Sequence, residues 1–148
     1  MEEEIKEVLA AKDTKESLQH FRKLEARCEE SNEMYQYWPL YLVGLQGKTS
    51  CNRARSFKLL MKTVKWDQQG QIDQHLPAIL AVLEDEKSIV VRQCVPYLKE
   101  LLIRRPNLKP IVLEKLTRLN LDKYKESMQH LIKRDIESLV NAVKGTSI

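Results

Sequence analysis

Apolar residues recur along this chain with the spacing of helices that bury one side. The clearest stretch runs from Gln74 to Leu98, where Leu76, Ile79, Leu80 and Leu83 follow i, i+3, i+4, i+7, and Val91, Val95, Leu98 and Leu102 repeat the pattern after Glu84-Asp85-Glu86. Two helices joined by so short a polar turn must fold back on one another. Upstream, Ile5, Val8 and Leu9 mark a helix over Glu2 to Ala11, and Leu18, Phe21, Leu24 and Cys28 mark a second. Asp13 and Glu16 have the capping-box spacing that would start that second helix. Ser31 is the expected cap of a third helix through Tyr35, Trp38, Tyr41, Leu42 and Leu45, with a kink at Pro39 if the helix runs from before it. Gly47 suits a left-handed helix end and Ser50 the next cap, opening a fourth helix to about Lys65 that packs through Ala54, Phe57, Leu60, Met61 and Val64. Downstream of Pro106, Pro110 lies early in a helix with Ile111, Leu113 and Leu116, and a last helix carries Tyr124, Met128, Leu131, Ile136, Leu139 and Val143 up to Gly145.

Self-comparison gives the pattern a period. Trp38-Pro39 falls on Leu76-Pro77 at a shift of 38, Arg55 on Arg92 at 37, and Pro77, Leu83, Arg92, Val95 and Leu98 fall on Pro110, Leu116, Lys125, Met128 and Leu131 at 33. A single helix pair cannot bury its apolar side, so copies must stack, and stacked copies form a solenoid. The expected fold is therefore all-α: one domain over residues 1–148, with cap helices, or a degenerate repeat of their own, at 1–30 and about three degenerate repeats at 31–66, 71–105 and 106–143.

Proline in the first helix, the acidic turn Glu84-Asp85-Glu86 and Val91-Arg92 opening the second helix resemble the HEAT repeat, with armadillo-type repeats as the close alternative. That resemblance implies a right-handed α-α superhelix. Arg55-Ser56-Phe57-Lys58-Leu59-Leu60, Lys65-Trp66-Asp67 and Lys123-Tyr124-Lys125-Glu126-Ser127-Met128 are similar to small bacterial HEAT-like proteins often labelled "SufBD protein". Iron–sulfur assembly would want clustered thiolates or carboxylates, and Cys28, Cys51 and Cys94 lie far apart in the chain. A subset of HEAT-like proteins removes alkylated bases from DNA through an aromatic-lined cleft and a carboxylate. Trp38, Trp66 and Asp67 are the residues here that could stand in for those parts, with Trp66 otherwise read as a half-buried anchor.

Composition changes little: 43% hydrophobic and 31% charged, with four Gly and five Pro, fits a helical domain. Charge changes more. Residues 1–37 hold six basic and ten acidic side chains, and residues 38–148 hold nineteen and eleven, so an acidic head precedes a basic body. Arg55, Lys58, Lys62 and Lys65 line one side of the fourth helix, and Arg92, Lys99 and Lys125 continue the row through the repeats, a candidate polyanion-binding surface. The competing reading is structural: the resemblance implies that Arg92 bonds a turn acid such as Asp85. Tyr35, Tyr37 and Trp38 are candidate partner-binding aromatics, or they seal the cap against the first repeat.

His20, His75 and His130 have no metal-ligand spacing, no catalytic motif is visible, and no cofactor is implied. The acidic start, Met1-Glu2-Glu3-Glu4, is unlike a signal peptide, and no apolar run spans a bilayer, so the expected setting is the cytoplasm without membrane contact. The expected function is a non-enzymatic binding module for another protein, with sequence-independent nucleic-acid binding as the alternative.

Overall fold

The structure is a computed structural model that describes residues 1–145; these residues form helices and turns and contain no strand. The chain gathers into two compact units, Met1–Ile79 and the residues from Leu80 onward.

In the first unit, α1 (Glu2–Ala10) buries Ile5 and Leu9. Its partner α2 (Lys15–Glu30) is capped by Thr14, whose hydroxyl accepts from the Ser17 amide at 3.1 Å while Ser17 Oγ accepts from the Thr14 amide at 3.1 Å. The reciprocal box thus sits one residue beyond the expected Asp13 and Glu16. The α2 stripe is also rotated: Ser17, Phe21, Leu24, Glu25 and Cys28 are buried, and Leu18 is exposed. Position 17 faces inward because it receives a hydrogen bond from Arg55.

A 3-10 segment, Asn32–Tyr37, follows Ser31, and α3 (Trp38–Gly44) begins at Trp38. Pro39 therefore lies in the first turn, where no intrahelical N–H is required, and produces no kink. Thr49, not Ser50, caps α4 (Ser50–Lys62) by accepting from the Asn52 amide at 3.1 Å. Gly47 is not left-handed; among the described residues positive φ occurs at Gly70 (74°) and Gly145 (91°). Gly47 is needed for space, since a Cβ there would lie 2.5 Å from Asn52 Cγ.

Gly44 is tighter still. A Cβ there would stand 1.9 Å from Ser56 Oγ and 2.8 Å from Ser56 Cβ, so α3 and α4 approach backbone to side chain. Gly44→Ala should lower stability by about 1–3 kcal/mol in spite of the better helix propensity of alanine. Urea unfolding measures it, and adding Ser56→Gly should recover part of the loss; an unchanged midpoint for Gly44→Ala would contradict the close approach.

Four helices make the body of this unit. α1 packs on α2, α4 and α3, α3 packs on α4, and α2 packs on α4. Phe21, Trp38, Tyr41, Phe57, Leu60 and Met61 lie almost wholly inside. After a 3-10 turn, Val64–Trp66, α5 (Gln71–Leu80) carries the chain into the second unit and keeps Pro77 inside the helix.

The second unit starts with a 3-10 turn, Ala81–Glu84, packed on α6 (Ser88–Cys94). The expected second helix of this pair is divided: a 3-10 segment, Val95–Tyr97, carries Pro96 and separates α6 from α7 (Leu98–Arg104). The core-facing row survives the interruption, with Val91, Val95, Leu98 and Leu102 each fully buried. A 3-10 turn, Pro106–Leu108, leads to α8 (Lys109–Thr117), whose Pro110 lies in the first turn. Here the core takes Val112 and Leu116, four apart, and leaves Ile111 exposed. α9 (Glu126–Val143) packs against α6 and α7 through Ile132, Leu139 and Val143.

Side chains tie the two polar turns of this unit together. Lys115 Nζ is 2.8 Å from Glu84 Oε2, Lys123 Nζ donates to the Glu84 carbonyl at 2.5 Å, and the Tyr124 hydroxyl donates to the Asp85 carbonyl. The hydrogen bond from Lys115 lowers the Glu84 carboxyl below its usual range.

Candidate functional site

The polyanion row begins at Arg55, and the structure buries it. Its side chain is 3% exposed; Nη1 donates to the Val8 carbonyl at 3.0 Å and Nη2 to Ser17 Oγ at 3.0 Å, with Asp13 Oδ1 at 3.8 Å and the Phe21 ring beneath it at 5.4 Å. One guanidinium fork on α4 therefore holds α1 and the start of α2. A group so placed cannot reach a phosphate, and Arg55 is not part of a polyanion surface.

Lys58 and Lys62 on α4, and Lys65 in the 3-10 turn after it, also have partners within the unit. Lys58 Nζ lies 5.8 Å from the Phe21 ring centre, Lys62 Nζ lies 3.5 Å from Glu29 Oε1, and Lys65 Nζ lies 5.3 Å from the Trp66 ring. All three are half-buried and engaged within the unit, not a vacant row. In the second unit Arg92 makes a two-pronged pair with Asp135 of α9, Nε to Oδ2 at 2.8 Å and Nη2 to Oδ1 at 3.2 Å. The partner is thus Asp135 rather than the expected Asp85, whose carboxylate accepts from the Lys87 amide. Lys99 and Lys125 are exposed.

By sequence, residues 1–79 hold twelve basic and twelve acidic side chains and residues 80–148 hold thirteen and nine, so the whole net charge of +4 falls in the second unit. The head-and-body division at residue 37 does not coincide with the units.

The aromatic candidates separate in the same way. Trp38 is 1% exposed, with its ring 5.6 Å from that of His75, and among the described residues its Nε1 has no hydrogen-bond partner. It belongs to the core, as in the sealing reading. Tyr35 and Tyr37 are half-buried. The Tyr35 hydroxyl donates to Asp67 Oδ1 at 2.5 Å and accepts from Gln71 Nε2 at 2.7 Å. Burial, followed by the hydrogen bond to Asp67, holds the Tyr35 phenol above its usual range.

Trp66 and Asp67 are likewise engaged. Trp66 Nε1 donates to the Cys28 carbonyl at 2.8 Å, which makes it the half-buried anchor of its connection. Asp67 accepts from the Gln71 amide through Oδ1 and from the Ile72 amide through Oδ2, each at 3.0 Å, in addition to Tyr35. Its carboxylate starts α5. Asp67 is buried beneath these three donors and Trp38 lies inside the core, so neither is presented to an open cleft.

The remaining chemistry-bearing groups are dispersed. His20, His75 and His130 stand on α2, α5 and α9, and among the described residues no group of three or more His, Cys, Asp and Glu side chains is placed to hold a metal. Burial pushes the Cys28 thiol up to about 11 and also raises that of Cys51, away from the reactive thiolate. No helix among the described residues is long and apolar enough to cross a membrane.

Sequence reasoning did not single out the surface between α1 and α2, where Glu4 and Glu7 line one helix and Lys23 and Arg27 the other. The signal was present in the i, i+3 and i, i+4 spacings of like charges on successive helices. Comparison of the chain with known protein families, with curated proteins and with solved structures finds no match.

Proposed function

We propose that this chain is a HEAT-like right-handed solenoid that works in the cytoplasm as a non-enzymatic module binding another protein. The observation that carries the reading is the order of packing within the first unit. There α3 packs on α4 and α2 on α4, while α1 lies against α4 as well as α3. Helix pairs that share one core in this way support a stacked reading, with α1 and α2 as its cap or as a degenerate repeat of their own. In the second unit the second helices α6, α7 and α9 pack together, and Glu84 joined to Lys115 and Lys123 adds a turn-to-turn ladder. A rigid stack of this kind offers a ridged surface whose use, by analogy of fold, is protein recognition.

Sequence-independent nucleic-acid binding is the weaker alternative, because Arg55 and Arg92, which would anchor the phosphate row, bond within the protein. Fluorescence anisotropy with mixed-sequence DNA and RNA at about 50 mM and about 200 mM salt separates the two readings. No binding is expected at either concentration. Tight binding at low salt that collapses at high salt would replace the protein-binding reading with the polyanion one. On the positive side, crosslinked capture should yield one protein that, once purified, reconstitutes a complex of fixed stoichiometry; failure of every captured candidate to do so would count against the module.

A further inference from the structure

α1 and α2 leave an open groove between them of about 420 Å³, lined by Glu4, Glu7 and Val8 on one side and Lys23, Leu24 and Arg27 on the other. A neighbouring hollow of about 220 Å³ shares Glu7, Val8 and His20 and reaches Ala11 and Ser17, so the groove follows the helix pair toward its turn. The floor is apolar: Leu24 is buried and Val8 half-buried. The walls are charged and exposed, with carboxylates confined to α1 and cations to α2. Arg27 Nη1 lies 3.4 Å from Met1 Sδ, which sets the start of α1 beside the Arg27 turn of α2. Because the four-residue connection reverses the chain, Glu4 then stands nearly level with Lys23 and Arg27, and Glu7 lies nearer the turn.

This surface is complementary to itself. Two copies can meet groove to groove about a two-fold axis in either of two simple ways. An axis running across the helices sets carboxylates on carboxylates and cations on cations. An axis running along the helices sets α1 of each copy over α2 of the other, so Glu4 and Glu7 of one meet Lys23 and Arg27 of the other on both flanks. The Val8 side chains of both copies then meet at the centre above the buried Leu24, in the manner of a four-helix bundle with charged edges. We infer that this groove is the docking surface for a second copy of the chain, paired about the axis that runs along α1 and α2. The two carboxylates and two cations balance, so pairing leaves no net charge at the joint. Contact along helices of this length falls at the small end of specific interfaces, and the dimer is expected to dissociate in the range of about 1–100 μM.

Sedimentation equilibrium from about 1 to about 300 μM tests this on the intact chain. The native protein should reach a dimer and no further, less tightly as salt is raised. Two variants decide the geometry: Glu4→Lys with Glu7→Lys, and Lys23→Glu with Arg27→Glu. Each brings like charges together on both flanks and should raise the dissociation constant at least about a hundredfold. Mixed in equal amounts they should restore the dimer, because an all-cation groove then faces an all-carboxylate one. The restoration also shows that both variants are folded. A native chain that stays monomeric throughout overturns the inference and leaves the groove to a different protein. Growth past the dimer, or tighter association when Lys23 and Arg27 become glutamates, overturns it in favour of an acidic head meeting a basic body in an open chain.

Discussion

Replacing Arg55 with alanine should destabilise the first unit by about 2–4 kcal/mol. The guanidinium donates at 3.0 Å to a backbone carbonyl on α1 and at 3.0 Å to the serine of the α2 capping box. Truncation takes the donor from the Val8 carbonyl and one of two donors from Ser17 Oγ, which keeps the Thr14 amide. It also removes the cation lying 5.4 Å from the Phe21 ring. Lysine should recover little, since one ammonium cannot occupy both positions of the fork. Ser17→Ala should cost less than Arg55→Ala, and the double variant less than the sum, because the two side chains share one bond. Urea unfolding followed by circular dichroism gives these differences, with hydrogen exchange placing them in α1 and α2. A midpoint that does not move would return Arg55 to the surface and to the polyanion row.

Arg55 also illustrates which features could be read from the chain and which could not. Its charge and its place on a helix with Lys58, Lys62 and Lys65 point outward by every local rule, since charged residues are seldom buried unpaired. The acceptors that bring it inside lie 47 and 38 residues away in sequence, and no local pattern announces them. Arg92 and Asp135, 43 apart, are the same case. By contrast, the apolar rows were readable wherever burial is shared by a whole helix face. Val91, Val95, Leu98 and Leu102 keep their inward row even though Pro96 breaks the helix beneath them.

The starts of α2 and α4 were readable to within one residue, whereas the cap at Ser31 opens a 3-10 segment and α3 begins only at Trp38. Asp13 and Thr14, and Thr49 and Ser50, are adjacent residues that can each cap, and the choice falls to the local backbone. Proline was ambiguous for a related reason. Pro39 begins a helix, Pro77 sits inside one and Pro96 interrupts one, so the residue reports a missing N–H without saying which neighbour compensates for it. The α1–α2 groove needed the pairing of two helices before its rows of unlike charge could be recognised as two walls.

Asp67→Asn should likewise cost about 1.5–3 kcal/mol, although it preserves shape. The carboxylate accepts the Tyr35 hydroxyl and the Gln71 amide through Oδ1 and the Ile72 amide through Oδ2. An asparagine can turn its oxygen to only one of those sides. Whichever side receives the NH2 presents a donor to a backbone N–H, so one amide of the first turn of α5 loses its partner. Ile72 is fully buried, and water cannot replace the bond there. Tyr35→Phe should cost less, about 0.5–1.5 kcal/mol, because it leaves both amides capped. The phenol supplies a second measurement. Its proton is held more tightly in the folded chain, so above its ordinary pKa of about 10 the unfolded chain binds fewer protons and stability falls as pH rises. Tyr35→Phe should remove that share of the alkaline fall. A catalytic Asp67 would behave in the opposite manner: Asp67→Asn would leave the urea midpoint where it is and abolish base release instead. Unfolding curves for native protein, Asp67→Asn and Tyr35→Phe at neutral and alkaline pH therefore decide whether this carboxylate builds the start of α5 or waits for a substrate.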